Sequence, residues 1–161
     1  MKVIIRKAIK SDAAAVLSLI EELAVFEKEP EAVIVSQAQI EKDGFGDRPL
    51  FECMLAEVDD QVVGMAFYYP RYSTWKGTTF HLEDLIVTKK MKGKGIGTQL
   101  YYAFLKHAHE VGVERVDWAV LSWNYPAIEF YQKSGARVLD DWKTVQMDRK
   151  SIENYISKIN T

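Results

Sequence analysis

The chain has 161 residues, 48% of them apolar and 27% charged, with a formal net charge of −2. That is enough chain for one domain with a real core, and the composition excludes a disordered or low-complexity segment. The slightly acidic balance argues against a general nucleic-acid binder, and no apolar run reaches membrane-spanning length.

The opening Met1-Lys-Val-Ile-Ile-Arg-Lys7 is too short and too charged to read as a signal peptide. Cys53 is the one cysteine, so no internal disulfide is expected and a cytoplasmic, reducing location is the natural expectation. Val3–Ala8 reads as a short strand. Ser11 or Asp12 is placed to cap a helix whose apolar residues Val16, Leu17, Ile20, Leu23 and Ala24 recur at helical spacing. Phe26-Glu-Lys-Glu-Pro-Glu31 ends it in an acidic loop. A second helix begins at Ser36, with Gln39 completing a capping box, and is stopped by Gly44 and Gly46.

Phe51–Val58 and Val62–Tyr69 are two β runs joined by the hairpin-length turn Asp59-Asp60-Gln61. Pro70 is expected to end the second run, and Tyr72–Gly77 to form a loop around Trp75. Thr78–Val87 is a third long strand. A long helix follows on the pattern Ile96, Leu100, Ala103, Phe104 and Val111, with Gly112 as its stop. Glu114–Leu121 alternates like a strand. Pro126 opens a further helix that ends before Gly135, Val138–Met147 reads as a last β region, and Ser151–Ile159 as a terminal helix. No linker or repeat divides the chain, so one domain over residues 1–161 is expected. The order of elements implies an α/β (α+β) fold, a mixed sheet with helices on both faces.

Between the third long strand and the long helix lies Lys92-Gly-Lys-Gly-Ile-Gly-Thr98. A strand, a basic glycine turn and a helix start make a site for anions, because the turn frees backbone N–H groups at the positive end of the helix dipole. Two nucleotide devices fail against it. A Walker loop needs G-x-x-x-x-G-K-[ST], and a dinucleotide fingerprint starting at Gly93 and Gly95 needs glycine where Thr98 stands.

These residues resemble the GCN5-related N-acetyltransferases, the GNAT family. Its acetyl-CoA loop reads R/Q-x-x-G-x-G/A, and Lys92-Gly-Lys-Gly-Ile-Gly97 is similar, with Lys92 in place of the usual Arg or Gln. Lysine is a point charge without the planar fork, so the grip on pyrophosphate is expected to survive with looser geometry. The stretch Asn124-Tyr-Pro-Ala-Ile-Glu-Phe-Tyr-Gln-Lys-Ser-Gly-Ala136 is similar to the family's N-x-x-A-x-x-F-Y-x-x-x-G-F/A segment. The resemblance runs from about Val3 to Met147. Within the family, Leu82-Glu-Asp-Leu-Ile-Val87, the Trp123-Asn124 pair, Asp43-Gly-Phe-Gly46 and Leu23-Ala24 with its acidic sequel look like the diamine and polyamine (spermidine/spermine) acetyltransferases and the related thialysine acetyltransferases.

The resemblance implies a GNAT fold with a mostly antiparallel sheet, acetyl-CoA as cosubstrate, a small cationic amine as acceptor, and a homodimer. It implies that backbone N–H groups from Gly93 through Lys94, Gly95, Ile96 and Gly97 to Thr98 hold the pyrophosphate beside Lys92. Leu85, Ile86 and Val87 offer backbone groups to the pantetheine arm on a strand splayed by a bulge, one N–H serving as an oxyanion donor. Asn124 either contacts that arm or caps the Pro126 helix. Tyr131 lies at the family's general-acid position, to protonate the leaving thiolate.

Glu83 is the candidate base or, equally, an anchor for substrate charge. In a regular strand Glu83 and Asp84 face opposite sides, so both reach one site only if a bulge intervenes. Phe26, Glu27, Trp75, Glu83 and Asp84, with Glu29, Glu31, Asp140 and Asp141 behind them, are the candidates for a dication. His81, His107 and His109 show no metal-ligand spacing, and Cys53 reads as core filler. No metal, nucleic-acid partner or membrane contact is expected. Other acceptors (an amino acid, an aminoglycoside, a protein lysine), a non-catalytic acyl-CoA-binding regulator and a nucleotide-binding domain are the alternatives.

Overall fold

The structure, a computed structural model, describes residues 1–159. They fall into two compact units, Met1–Ala119 and the described residues from Val120 onward. The first holds β1 (Ile4–Lys7), α1 (Ala13–Phe26), α2 (Gln37–Phe45), β2 (Glu52–Val58), β3 (Gln61–Ser73), β4 (Gly77–Val87), α3 (Ile96–Val111) and β5 (Val116–Asp117). The strands lie side by side in chain order, antiparallel throughout except for the parallel pair β4 and β5.

The sheet separates two cores. On one face α3 sends Ile96, Leu100, Phe104 and Ala108 onto Met54, Ala66, Tyr68, Phe80, Leu82 and Val87. On the other, Ala13, Val16 and Leu19 of α1 and Ile40 of α2 meet Cys53, Leu55, Met65 and Ile86. Cys53 is a buried member of that core, and burial pushes its thiol well above the ordinary range, as befits a filler.

Local chemistry sets the element ends. Asp59 and Asp60 both take positive φ, 50° and 60°, the two-residue turn whose twist suits a hairpin. Gly95 (φ 75°) and Gly112 (φ 81°) start and stop α3 in left-handed conformations. Ser36 caps α2 by accepting from the Gln39 N–H at 3.2 Å, while the Gln39 side chain donates to Asp43 at 2.6 Å, so half of the expected capping box forms. Asp12 stands at the start of α1 without capping it. Its carboxylate accepts instead from the Arg6 guanidinium at 2.7 and 2.9 Å and from the Ile9 N–H at 2.8 Å, tying the helix to the edge strand.

Three expectations are corrected. Pro70 does not end the second β run: β3 continues to Ser73, with Pro70 opposite Phe80. Its pairing with β2 stops at Tyr68, so the missing Pro70 N–H falls where no β2 neighbour remains. The strand expected over Glu114–Leu121 shrinks to Val116–Asp117, paired with Phe80 and His81 just short of an irregularity in β4. In the second unit, α4 (Tyr125–Lys133) has Pro126 in its first turn, and α5 (Arg149–Ile159) is the terminal helix. Between them Val138–Met147 forms no strand. Leu139, Trp142, Val145 and Met147 are all exposed, so nothing buries one face of that run, and alternation without burial does not make a strand.

Gly64 of β3 marks the tightest approach in the sheet: a Cβ there would lie 2.7 Å from the Ile86 carbonyl oxygen and 3.1 Å from Leu100 Cδ1. The carbonyl belongs to the backbone and cannot swing aside. Gly64→Ala is expected to cost about 1–3 kcal/mol in a urea melt; a midpoint equal to that of the parent chain would show that β3 and β4 have room there.

Candidate active site

Phe67 of β3 stands opposite Asp84 of β4, but the next residue, Tyr68, stands opposite Leu82. Glu83 is therefore an extra residue, a β-bulge. The two cores confirm the change of parity. Phe80 and Leu82 face the α3 core before the bulge, whereas Leu85 and Val87 face it afterwards, with Ile86 in the α1 core. Glu83 and Asp84 consequently share the α1 side of the sheet. The opposition expected of a regular strand is lifted by that one inserted residue.

Glu27 comes to the same place from the other direction, at the C-cap of α1. Burial raises the Asp84 carboxyl to about 7, with the charges of Glu83 and Glu27 adding to it. Glu27 is raised as well, by burial first and by Glu83 second. The charges that raise both acids are carboxylates. Glu27 and Glu83 are both exposed, the Glu83 side chain to 50%, while Asp84 is half-buried. It accepts a hydrogen bond from Tyr69 Oη at 2.8 Å and lies 3.6 Å from His81 Nε2. Burial and that hydrogen bond raise the Tyr69 phenol, which stays a donor at neutral pH.

The glycine turn adjoins the same end of α1. Gly93 (φ 77°) and Gly95 (φ 75°) take conformations that disfavour a side chain, with open space where a Cβ would be. The first N–H groups of α3 have no intrahelical acceptor, and no side chain caps them. Ile96 is buried, Lys92, Gly93, Lys94, Gly95 and Thr98 are exposed and Gly97 is half-buried, so the turn offers backbone donors and lysine charge outward. Glu22 of α1 accepts from the Lys89 N–H at 2.8 Å, and Lys92 Nζ sits 4.6 Å above the Phe26 ring. Phe26, expected at the amine site, thus supports the glycine turn through a cation–π contact.

The side chains of Leu85, Ile86 and Val87 belong to the cores, which leaves their backbone. β4 pairs with β5 at Phe80 and His81 alone, so its edge from Leu82 to Val87 has no strand beside it there among the described residues. Such an edge offers a ladder of N–H and C=O groups to an extended partner.

Other candidates lie elsewhere. Trp75 is 81% exposed at the β3–β4 turn, roughly 20 Å along the strand from Glu83; the structure does not bring it to the acidic cluster. Glu29 and Glu31 are exposed beyond α1. In the second unit Tyr131 is buried in α4, and Asp140 and Asp141 are exposed. Asn124 holds the N-cap position of α4 but makes no side-chain cap hydrogen bond, so the capping role weighed for it is not realised. Tyr69 and Asp117 carry no signal in the sequence, and His81 is legible there only as a histidine without metal-ligand spacing; all three lie behind Glu83. No motif marks them, since pairing across strands alone brings them together.

Residues 14–136 match the family model described as the acetyltransferase (GNAT) family. The chain belongs to that family. It is an N-acetyltransferase, and acetyltransferases of this family use acetyl-CoA. It is 34% identical to the thialysine N-epsilon-acetyltransferase of Bos taurus, over 97% of this chain and 98% of the relative. It is 35% identical to the spermidine/spermine N(1)-acetyltransferase-like protein 1 of Homo sapiens, over 92% of this chain and 23% of that longer protein. Among solved structures, an integron cassette protein from V. cholerae superposes with a TM-score of 0.79 at 23% identity, covering 97% of this chain and 98% of the other. Uncapped donors, two left-handed glycines and outward lysines fit the pyrophosphate such a cosubstrate carries.

An aspartate ordinarily near 3.8 that titrates near 7 when folded keeps a proton which the unfolded chain has lost. Between those values the folded state binds more protons, so this group's contribution to stability falls as pH rises from about 4 to about 7 and stays low above. Asp84→Asn is therefore expected to melt later than the parent at pH 8 without ligand, by on the order of 2 kcal/mol, and to converge with it near pH 4. Equal melting at pH 8 would contradict a carboxylate held at a cost.

Proposed function

We propose that the chain transfers acetyl from acetyl-CoA to a primary amine of a small cationic molecule, a diamine, polyamine or lysine analogue. The observation that carries this reading is the gathering of Glu27, Glu83 and Asp84 in one place, where burial and the charges of the other two acids raise the Asp84 carboxyl. Three neighbouring acids are costly to hold together, and a substrate with more than one ammonium group removes that cost on binding. The names of the bovine and human relatives, thialysine and spermidine/spermine acetyltransferases, support the same substrate class.

In this reading the N–H groups from Gly93 to Thr98 hold the pyrophosphate, with Lys92 and Lys94 adding charge. The backbone of Leu85, Ile86 and Val87 aligns the pantetheine arm, and one N–H of that edge polarises the acetyl carbonyl. Asn124 contacts the same arm. Glu27 and Asp84 hold substrate charge. An alkyl ammonium has a pKa of about 10.4, so it must lose a proton before its nitrogen can attack, and Glu83 takes that proton directly or through water. The nitrogen bonds to the acetyl carbon, the C–S bond breaks, and Tyr131 gives the departing thiolate a proton that it regains from the new amide nitrogen. One proton leaves the site per turnover. Holding the two reactants together supplies much of the rate.

The family match crosses from the first unit into the second, which supports a single N-acetyltransferase domain. The single, buried cysteine supports a cytoplasmic setting, and the family resemblance supports a homodimer. No helix of the described residues is long and apolar enough to cross a membrane.

A panel of amines with thiol release as readout tests the substrate class. Diamines, polyamines and thialysine are expected to turn over, and their singly charged, mono-capped analogues to lose at least about tenfold in kcat/KM. Equal rates for charged and capped amines would contradict the role of the acidic cluster. Tyr131→Phe is expected to lower kcat about a hundredfold while sparing the KM for acetyl-CoA; unchanged kcat would remove Tyr131 as the acid.

A further inference from the structure

Behind Glu83 lies a chain of groups drawn from three strands. His81, two residues earlier on β4, places Nδ1 2.6 Å from Asp117 Oδ1 of β5. Its Nε2 lies 3.6 Å from Glu83 Oε2. A ring nitrogen and a carboxylate oxygen at 2.6 Å need a proton between them, so Nδ1 is the donor and Asp117 fixes the tautomer. Arg71 Nη1 of β3 donates to the same Asp117 oxygen at 3.0 Å, and Arg115 Nε lies 3.2 Å from Oδ2. Two guanidiniums thus face the Asp117 carboxyl. Arg71 Nη1 also lies 3.2 Å from His81 Nδ1, because both converge on that oxygen. Tyr69 packs its ring 5.3 Å from the imidazole and donates to Glu83.

With Nδ1 committed to Asp117, the ring in its neutral form presents the Nε2 lone pair to Glu83. Facing a bare carboxylate, that lone pair has nothing to bind. Facing a protonated Glu83, it accepts the carboxyl hydrogen. The ring is largely enclosed, its side chain 18% exposed, so its orientation is held while Glu83 remains open to solvent and substrate.

We propose that His81, oriented by Asp117, is a positioning residue for Glu83 and the second acceptor of the proton taken from the substrate. The inference rests on the reading of Glu83 as the group that deprotonates the amine. The ammonium N–H bond breaks and an O–H bond forms on Glu83. That hydrogen then passes to His81 Nε2, giving an imidazolium held between the Glu83 and Asp117 carboxylates. The imidazolium releases it to water at the exposed rim of Glu83, which accounts for the one proton each turnover must discharge. The groups facing the ring are thus Asp117 from β5, Arg71 and Tyr69 from β3, and Glu83 from its own strand, with Arg115 acting through Asp117.

The test is steady-state kinetics across pH on His81→Gln, Asp117→Asn, Glu83→Gln and the double variant Glu83→Gln/His81→Gln, with thermal melts as the check on folding. Glutamine is similar in size and still offers an amide N–H donor but cannot carry the proton, so it separates proton handling from packing. His81→Gln and Asp117→Asn are each expected to lower kcat about tenfold, to leave the KM for acetyl-CoA unchanged, and to move the acidic limb of the kcat profile to lower pH. In the Glu83→Gln background the second substitution is expected to change kcat less than about twofold. A full tenfold loss from His81→Gln in that background, or an acidic limb that stays in place, would overturn the role of His81 while leaving Glu83 intact. Parent-like kcat in Glu83→Gln alone would overturn the reading of Glu83, and the inference with it.

Discussion

One residue in β4 without a counterpart in β3 sets the chemistry of this molecule. The bulge at Glu83 reverses which side chains face which core. Without it Glu83 and Asp84 would point to opposite faces, and one of them would lie among the apolar residues beneath α3. With it both acids turn toward α1, where Glu27 already stands. Holding like charges together in a half-buried place is unfavourable, and in the proposed function that stored cost is what a dicationic substrate relieves. Stability is given up at the site and recovered on binding, which is how strained and charged features persist at functional positions.

The last turn of α1 joins the two halves of the site in the first unit. Glu22 holds the chain as it leaves β4, Phe26 carries the Lys92 ammonium, and Glu27 belongs to the acidic cluster. The three residues lie within two helical turns, so the glycine turn and the acidic cluster are registered to one rigid element. This arrangement gives Lys92 a specific setting. Where the family resemblance leads one to expect Arg or Gln, a lysine can rest on an aromatic face and still present its charge to an anion.

What the sequence reveals is what is local. Glycines with positive φ, the periodicity of α3, the aspartates of the β2–β3 turn and the strand–turn–helix device are all set by a few neighbouring residues. Glu83 and Asp84 could be named because adjacent acids at the centre of a strand are unusual, and Glu27 through the resemblance of its acidic loop to that of the polyamine acetyltransferases. What remained hidden depends on partners distant in the chain. Pro70 is tolerated because β2 has ended beside it, β5 is cut to Val116 and Asp117, and Val138–Met147 finds nothing to cover it. His81 meets Asp117 thirty-six positions away only because β4 and β5 run parallel. The bulge is the extreme case, since its effect on parity is visible only when two strands are laid side by side.

The claim that the bulge gathers acids for a cationic substrate is tested most directly by counting protons on binding. Calorimetric titration of an aliphatic diamine, repeated near pH 7 in buffers of different ionisation enthalpy, measures the protons exchanged. The diamine itself stays doubly protonated there, because its groups titrate near about 10. Asp84, poised at about 7, must lose its proton to pair with an ammonium. The account predicts net proton release in the parent chain and none in Asp84→Asn. Binding without proton exchange, or equal release in both, would contradict it.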